Sequence, residues 1–255
     1  MNQILKDKVC IVTGAGTGIG KAMCIGIAEE GGKVAIIYRN SAKGAEDTLQ
    51  KVKEAGGEGM IVQCDVAYED SINRMVQEVY DHFGRIDVLI NNAAERGPGL
   101  LLEDACTEEN FESTFDVNVT SAFIATKAVA PIMLKQGAGR IINITSIQGY
   151  RPGMRARIAY QTSKTALEAF TRAASAELAP HGVTVNAMAP GAIDTSIGGT
   201  GLSDEYKRKR DRWIPQRRDA QPWECVGSIL FYASDMASYV SGQSFLVDGG
   251  WTCQD

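Results

Sequence analysis

Seven short runs of apolar and β-branched residues recur along the chain, separated by longer stretches with helical periodicity. Most runs are continuously apolar rather than alternating, which indicates strands buried on both faces of a sheet. Strands that alternate with helices predict a doubly wound parallel sheet, an α/β fold of the Rossmann type with helices on both faces. The predicted strands are Val9–Thr13, Val34–Tyr38, Met60–Cys64, Val88–Asn91, Arg140–Thr145, Val183–Met188 and Ser244–Val247.

The composition is that of an ordinary globular protein: of 255 residues, 44% are hydrophobic and 22% charged, and the net charge is −5. No linker or repeat interrupts the pattern, so residues 1–255 are predicted to form a single domain. The sequence has no signal-like amino terminus and no apolar run near the roughly 18 residues of a membrane span. We therefore expect a cytoplasmic protein without membrane contacts.

Cysteines and histidines show no metal or disulfide pattern. The six cysteines lack C-x-x-C spacing, and the two histidines, His82 and His181, are far apart. Since a large α/β chain does not need disulfide staples, we expect reduced thiols and no metal site.

A glycine-rich turn, Thr13-Gly14-Ala15-Gly16-Thr17-Gly18-Ile19-Gly20, follows the first predicted strand. Glycines there allow a tight turn and let the backbone approach a pyrophosphate at the start of a helix, where free N–H groups favour an anion. The plain alternative is a tight strand-to-helix connection. Its position after the first strand favours dinucleotide binding through Gly14, Thr17, Gly18, Ile19 and Gly20.

The end of the second strand selects the nucleotide in such folds. No acidic residue occurs from Val34 through Ala45, whereas Arg39 offers a fork matched to a 2′-phosphate and Ser41 a second contact. This pattern predicts NADP(H), with NAD(H) as the alternative if Arg39 is merely an exposed arginine. After the third strand, Asp65-Val66 is predicted to face the adenine.

Tyr160 and Lys164 stand four residues apart, with Ser146 ahead of them at the end of the fifth strand. At this spacing both side chains lie on one helix face, so the ammonium is expected to lower the pKa of the phenol toward working pH. The tyrosine then becomes a usable acid or base. Two further strand ends, Asn92-Ala93 and Pro190-Gly191, are expected to pass close to the cofactor.

Over essentially its whole length the chain resembles the short-chain dehydrogenase/reductase family. The resemblance implies that Tyr160 exchanges a proton with the substrate oxygen, that Ser146 donates a hydrogen bond to it, and that Lys164 also holds the nicotinamide ribose. It further implies a water relay from Asn118 to Lys164, and contacts of Thr195 and Ile193 with the nicotinamide. The matching motifs are Thr13–Gly20, Asn91–Ala93, Asn118, Ser146, Tyr160–Lys164, Pro190–Thr195 and Asp248–Gly250.

Three positions depart from the family pattern. Ala94 stands where relatives usually have glycine, and we expect little effect because alanine is tolerated wherever φ is negative. Arg217 and Ala220 replace two glycines of a common pattern, so the hinge of a predicted substrate lid at about residues 191–218 is expected to differ.

Basic residues cluster where the substrate is expected. The run Lys207–Arg218 carries seven basic residues, and Arg151, Arg155 and Arg157 lie between Ser146 and Tyr160. This asymmetry favours an anionic or carrier-bound partner, while solvation or subunit salt bridges would explain it equally well. The acidic net charge and the lone aromatic Trp213 in the run disfavour nucleic acid.

The leading functional prediction is reduction of a 3-oxoacyl thioester or a similar ketone. Sugar dehydrogenation and hydroxysteroid dehydrogenation are the alternatives within the class, and a non-catalytic dinucleotide sensor is the alternative outside it. An enzyme rather than a sensor is favoured because a binding protein has no need of a perturbed phenol. The family resemblance also implies a homotetramer, and Ala159–Ala179 is rich in alanines that permit close helix packing.

Overall fold

Seven parallel strands form one sheet in a computed structural model that describes residues 3–97, 99–151, 157–195 and 203–254, without the side chains of Asp204 and Lys207. The spatial order β3-β2-β1-β4-β5-β6-β7 confirms the predicted doubly wound fold. No strand end differs from its predicted position by more than two residues. The strands are β1 Val9–Val12, β2 Lys33–Tyr38, β3 Glu58–Gln63, β4 Val88–Asn91, β5 Gly139–Ile144, β6 Val183–Pro190 and β7 Ser244–Val247.

Helices cover both faces of the sheet. One apolar layer lies beneath α1, α2 and α8, and a second beneath α3, α5 and α6. Residues of each strand alternate between the layers: Cys10 and Val12 face the first, and Val9 and Ile11 the second. The helices are α1 Gly18–Glu29, α2 Ala42–Glu54, α3 Glu69–Phe83, α4 Glu108–Phe115, α5 Ser121–Gln136, α6 Ile158–Leu178, α7 Asp204–Asp211 and α8 Val226–Ala233.

Strand order reverses between β1 and β4, which lie side by side in the centre of the sheet. Side-chain hydrogen bonds fasten their carboxyl ends together. Thr13 Oγ1 accepts from the N–H groups of Asn92 and Ala93 at 2.9 Å each, and Asn92 Nδ2 donates to the Thr13 carbonyl at 2.7 Å. Ligands of such sheets bind at this switch point, so its backbone is fixed where a ligand is expected.

Within the described residues, one helical stretch is long and apolar enough to cross a membrane by length and composition. It runs over Glu108–Gln136, with an 18-residue window of mean hydropathy 1.5 that is 44% buried. This window reaches its hydropathy without a continuous apolar run of the length that the sequence analysis considered, because Asn118, Thr120 and Lys127 interrupt it. Val129 and Met133 of α5 pack in the core between the sheet and α3, as in a core helix of a globular domain.

The predicted lid falls partly outside the described residues, because 196–202 are not described. Its described part contains α7 and the turn before Ala220. Arg217, predicted to replace a family glycine, has φ 59°, a left-handed conformation that favours glycine. Ala94 and Ala220, which also stand where the family has glycine, are not among the described non-glycine residues of positive φ, which are Asp7 and Arg217.

Candidate active site

A cleft of about 480 Å³ opens at the carboxyl edge of the sheet. All but two of the predicted site residues line it. The lining includes Gly14, Thr17, Gly18, Ile19, Gly20, Arg39, Ser41, Val66, Asn92, Ala93, Ser146, Tyr160, Lys164, Pro190, Gly191, Ile193 and Thr195. The parallel strands bring these dispersed positions together because their carboxyl ends share one edge.

The glycine-rich turn forms one wall of the cleft, with no room for a side chain at Gly20 and little at Gly14. A Cβ at Gly20 would lie 2.5 Å from the Gly14 carbonyl oxygen, and a Cβ at Gly14 would lie 3.0 Å from the Ala93 Cα. Gly14 and Gly18 have positive φ. The turn leads into α1, whose N-cap residue Thr17 makes no side-chain capping hydrogen bond and whose first turn has no acidic residue. This bare helix amino terminus fits the pyrophosphate of a dinucleotide.

The end of β2 continues this wall. Arg39 and Ser41 are exposed residues in the lining, and the Arg39 carbonyl accepts from Gln63 Nε2 at 2.9 Å, which fixes the backbone there. Of the pair predicted to face the adenine, Val66 lines the cleft and Asp65 does not. The Asp65 carboxylate accepts from the Ala67 N–H at 3.1 Å, and its contact with the adenine stays a prediction.

The residues after β6 form a further wall of the cleft. Thr195 lies against the glycine turn: its Cγ2 would be 3.4 Å from a Cβ at Gly18. Gly191 donates its N–H to the Val247 carbonyl at 2.9 Å, and a Cβ there would lie 2.8 Å from the Asp248 Cα. The terminal Asp248-Gly249-Gly250 motif therefore supports the Pro190–Thr195 segment rather than lining the cleft itself.

Ser146, Tyr160 and Lys164 meet at the centre of the cleft. Ser146 follows β5 and caps a short 3₁₀ turn, with its Oγ accepting from the Gln148 N–H at 3.2 Å. The hydroxyl of Ser146 hydrogen-bonds to the Tyr160 phenol. Lys164, one turn further along α6, is fully buried; its Nζ donates to the Ile144 carbonyl at 2.8 Å and lies 5.7 Å from the centroid of the Tyr160 ring.

The expected direction of the Tyr160 pKa shift was wrong for this structure. Burial raises the pKa of the phenol above 10.0, and the opposing effects of the Ser146 hydrogen bond and the Arg96 and Arg157 charges are smaller. Burial also lowers the pKa of Lys164 to about 8, although the nearby negative charge of Glu168 acts to raise it. Desolvation thus disfavours the charged form of both partners, which the spacing in sequence does not reveal.

Asn118 does not line the cleft but holds the loop behind it. It lies in a π-helical segment, Asp116–Thr120, between α4 and α5, where such wide turns often accompany functional sites. Its Nδ2 donates to the Ser163 Oγ at 2.9 Å, and that hydroxyl donates to the Tyr160 carbonyl at 2.8 Å. The predicted water relay to Lys164 stays a prediction.

Sequence reasoning missed several lining residues, among them Arg96, Gln148 and Trp251. Arg96 lies five residues after the end of β4, so its place near a carboxyl strand end was an available signal. The amide of Gln148 has a buried Oε1 without a hydrogen-bond partner in the described part of the chain. Trp251 gave no signal, because only the fold brings the carboxy-terminal segment to the cleft.

Three of the seven basic residues in the run Lys207–Arg218 make ion pairs. Lys209 pairs with Glu205 at 2.8 Å, Arg218 with Glu224 at 2.6 Å, and Arg210 with Asp219. Of this run, Arg210 alone is among the described lining residues. Arg155 lies outside the described residues, as does the side chain of Lys207. The charged face of α7 is therefore weaker support for an anionic partner than the sequence indicated.

Metal ligands and disulfides do not contribute to the described site. Across the residues with described positions, no three His, Cys, Asp or Glu side chains form a potential metal site. All six cysteines are free, and four of them are buried. Burial raises the pKa of the Cys225 thiol to about 12, so this thiol stays protonated at neutral pH.

Comparison with known proteins identifies the class. A family model described as enoyl-(acyl carrier protein) reductase matches residues 14–252. A 3-oxoacyl-[acyl-carrier-protein] reductase from Synechocystis sp. is 40% identical over 247 residues, which are 96% of this chain and 97% of that protein. The chain belongs to the short-chain dehydrogenase/reductase family, whose members bind NAD(P). It is an NAD(P)-dependent oxidoreductase that acts on a small-molecule alcohol or carbonyl.

Solved structures agree with this assignment. A 7α-hydroxysteroid dehydrogenase in complex with NADH and 7-oxo glycochenodeoxycholic acid superposes with a TM-score of 0.92 at 32% identity, covering 98% of this chain and 96% of that one. A protein from Beutenbergia cavernae, assigned as an NAD(P)-dependent gluconate 5-dehydrogenase and containing NADP, has a TM-score of 0.91 at 34% identity over the full length of both chains.

Proposed function

We propose that this protein transfers hydride between NADP(H) and a ketone or secondary alcohol, with Tyr160 as the proton donor and acceptor. The observation that carries the proposal is the meeting of Ser146, Tyr160 and Lys164 beside the glycine turn in one cleft. A nicotinamide cofactor bound along the turn would supply or accept the hydride. The glycine cradle, Asn92-Ala93 and the Pro190–Thr195 segment are the parts of the chain that would hold it.

Proton chemistry favours reduction. Because burial raises the pKa of Tyr160, the phenol keeps its proton at neutral pH and is ready to donate it to a carbonyl oxygen. Ser146 is placed to hydrogen-bond the same oxygen. The phenolate left behind is stabilised by the nearby Arg96 and Arg157 charges, which act in the opposite direction to burial. Lys164 would orient the ribose of the cofactor from its buried position.

The preference for NADP(H) over NAD(H) is part of this proposal. Its support is Arg39 at the end of β2, exposed in the lining and with no acidic residue beside it. A carboxylate at this place would repel a 2′-phosphate, whereas a guanidinium matches it. Relatives use either cofactor, since the steroid dehydrogenase was solved with NADH and the Beutenbergia protein with NADP.

Two classes of substrate are candidates for this reaction. Similarity to a 3-oxoacyl-[acyl-carrier-protein] reductase supports an acyl thioester. The cleft supports a smaller acidic substrate, because its described lining contains five arginines and one carboxylate residue, Glu95. Acidic sugars and steroid carboxylates belong to this second class.

The test of the reaction is a cofactor assay. Purified protein would be mixed with NADPH or NADH and a panel of 3-oxoacyl thioesters, keto acids, keto-sugars and ketosteroids, and nicotinamide absorbance would be followed. Turnover that is faster with NADPH is the expected result. Tight nucleotide binding without turnover of any carbonyl or alcohol would contradict the proposal and favour the dinucleotide sensor.

Assembly, organisation and location complete the proposal: a cytoplasmic homotetramer of single-domain subunits, with the lid over residues 191–218. On α6, Ala169, Ala173 and Ala176 are exposed at helical spacing and permit close approach of a second helix. Phe123 of α5, half exposed, packs edge-on against Phe170 with ring centroids 6.3 Å apart. Light scattering should give the mass of four chains, and a monomer would contradict the assembly.

A further inference from the structure

Two arginines of the cleft flank Tyr160. Arg96 lies on the loop that follows β4, Arg157 lies immediately before α6, and both are partly buried residues of the lining. Arg157 precedes Tyr160 by three residues, which brings the two toward the same side of the helix start. Among the described residues, neither arginine has a carboxylate within ion-pair distance.

The loop that carries Arg96 is held against α6 at three points. Both backbone polar atoms of Glu95 bond to the Asn118 side chain. A Cβ at Gly97 would lie 3.5 Å from the Ala159 Cβ, and the Gly99 carbonyl accepts from the Ile158 N–H at 3.1 Å. The residues on either side of Arg96 are thereby fixed next to the first turn of α6. Such fixed positioning is what a binding residue needs.

The other arginines of the lining have different roles. Arg151 donates from Nη1 to the carbonyls of Trp251 and Gln254, at 3.2 and 2.7 Å. Arg210 pairs with Asp219 on the lid side. Arg39 stands at the end of β2, where the ribose of the cofactor is expected. Because the pyrophosphate belongs at the glycine turn, neither negative group of the cofactor is expected beside Tyr160.

Charge in this part of the cleft is uncompensated. The Arg96 and Arg157 charges both act to lower the pKa of Tyr160, and burial together with the Arg157 charge lowers the pKa of Arg96. Two partly desolvated guanidinium groups near each other are unfavourable unless an anion joins them. The planar forks of arginine match a carboxylate or a phosphate through paired N–H groups. In the same cleft, the buried Oε1 of Gln148 has no hydrogen-bond partner among the described residues, which favours a polar substrate rather than an acyl chain.

We propose that Arg96 and Arg157 bind an oxyanion carried by the substrate close to its reacting carbonyl, so that the substrate is a small keto acid or hydroxy acid or its phosphorylated counterpart. The inference rests on the proposed hydride transfer and gives its substrate class. An acyl thioester does not satisfy it, because the phosphate of its carrier is many bonds away from the carbonyl.

Kinetics with matched substrate pairs test the proposal. With NADPH, kcat/KM would be measured for a 3-oxo acid and its methyl ester, for a keto-sugar acid and its neutral keto-sugar, and for dihydroxyacetone phosphate and dihydroxyacetone. Wild type should prefer the acidic member of at least one pair by about tenfold to a hundredfold, the range of charge-assisted hydrogen bonds. The carboxylate pairs and the phosphate pair distinguish the two anions.

Variants assign the preference to these residues. Arg96→Gln and Arg157→Gln should reduce the acid-to-neutral ratio by about tenfold each, whereas Arg208→Gln, an exposed lid arginine outside the lining, should keep it. The ratio is the readout because losing either charge also affects Tyr160 and slows every substrate. The proposal would be overturned if wild type showed equal kcat/KM for both members of every pair. It would also be overturned if the arginine variants lost kcat/KM equally on the acidic and the neutral member. NADPH affinity should stay within about threefold in both variants, and a large loss would assign the arginines to the cofactor instead.

A binding measurement separates this inference from the reaction itself. Malonate and inorganic phosphate would be titrated calorimetrically into protein saturated with NADPH. Binding by wild type that is lost in Arg96→Gln supports the oxyanion subsite even if no carbonyl is turned over, in which case the hydride transfer alone fails. Absence of binding by both probes, together with turnover of neutral ketones, would overturn the subsite and leave the reaction standing.

Discussion

The Asn118 carboxamide is hydrogen-bonded to both backbone polar groups of Glu95. Its Oδ1 accepts from the Glu95 N–H at 2.8 Å, and its Nδ2 donates to the Glu95 carbonyl at 2.8 Å. The same Nδ2 donates to Ser163, so one buried side chain joins the loop after β4 to the helix that carries Tyr160. The loop beside the cleft is therefore connected through Asn118 to the helix that carries the tyrosine.

Replacing Asn118 should disturb both elements. In Asn118→Ala the Glu95 N–H and carbonyl lose their partner in a buried place, and we expect a loss of about 1–3 kcal/mol of unfolding free energy. Turnover should fall at least about tenfold, while NADPH affinity changes little because Asn118 does not line the cleft. Chemical denaturation and steady-state kinetics check this, with the exposed Asn110→Ala as control. Unchanged kcat in Asn118→Ala would contradict it.

Tyr160→Phe should remove the proton donor without removing the ring. We expect kcat to fall by about 10²–10⁴-fold, the usual contribution of a positioned acid or base, and NADPH affinity to be retained. Absorbance kinetics and a fluorescence titration with NADPH measure the two quantities. The control is Tyr239→Phe, because Tyr239 is fully exposed. If Tyr160→Phe turns over at more than a tenth of the wild-type rate, the phenol is not the acid.

Lys164 should make stability depend on pH. Burial lowers its pKa from 10.5 to about 8, so the unfolded chain holds the proton more tightly than the folded one. This difference lowers the unfolding free energy by up to about 3 kcal/mol below pH 8, and the loss diminishes as pH rises from about 8 to 10.5. The unfolding free energy of wild type should therefore rise relative to that of Lys164→Met across this window.

Urea denaturation of both proteins at pH 7, 8.5 and 9.5, without added nucleotide, measures this difference. The exposed Lys135→Met is the control and should track wild type. If the difference in unfolding free energy between wild type and Lys164→Met stays constant with pH, the low pKa of Lys164 is refuted.

Arg39→Asp should alter cofactor choice. We expect the Kd for NADPH to rise about tenfold to a hundredfold and the Kd for NADH to change by less than about threefold, because only the 2′-phosphate distinguishes them. Fluorescence titration measures both constants. Arg74→Asp, an exposed charge change on α3, is the control. Equal losses for the two nucleotides would show that Arg39 does not read the phosphate.

Two glycines should respond oppositely to alanine. A Cβ at Gly20 would collide with the Gly14 carbonyl and the Asn92 amide, at 2.5 and 2.7 Å, so Gly20→Ala should lower both stability and NADPH affinity. Gly227 lies in α8, and a Cβ there would have open space around it, with no atom within 4 Å. Gly227→Ala should raise stability by about 0.5–1 kcal/mol. Thermal denaturation measures the change in melting temperature of each variant relative to wild type. Similar changes in the two variants would show that the space around Gly20 is not limiting.

Much of the fold was predictable because it repeats. Val9, Cys10, Ile11 and Val12 form a continuously apolar run, and the structure places alternate members in the two core layers. The end of β6 was less predictable. Pro190 extends the strand two residues beyond the predicted end, because a last residue needs no ladder N–H and Pro190 still pairs in register with Val247.

The residues that line the cleft were predictable where they follow strand ends, as Ser146 does, and not where their position depends on distant contacts. Arg96 is placed by Asn118 and Ala159, which are 22 and 63 positions further along the chain and which no local pattern links to it. The direction of the Tyr160 pKa shift depends on the balance of burial against charge, and that balance exists only in the folded protein.

The π-helical segment Asp116–Thr120 joins α4 to α5 through one wide turn. It carries Asn118 toward Glu95 on one side and leads directly into α5, whose Val129 and Met133 are buried on the sheet. A π-helical turn holds one residue more than an α-helical turn, so deleting one residue there would let α4 continue into α5 as a regular α-helix. The buried residues of α5 would keep their places on the sheet, whereas Asn118 would turn away from Glu95. The extra residue in this turn therefore serves the cleft rather than the core.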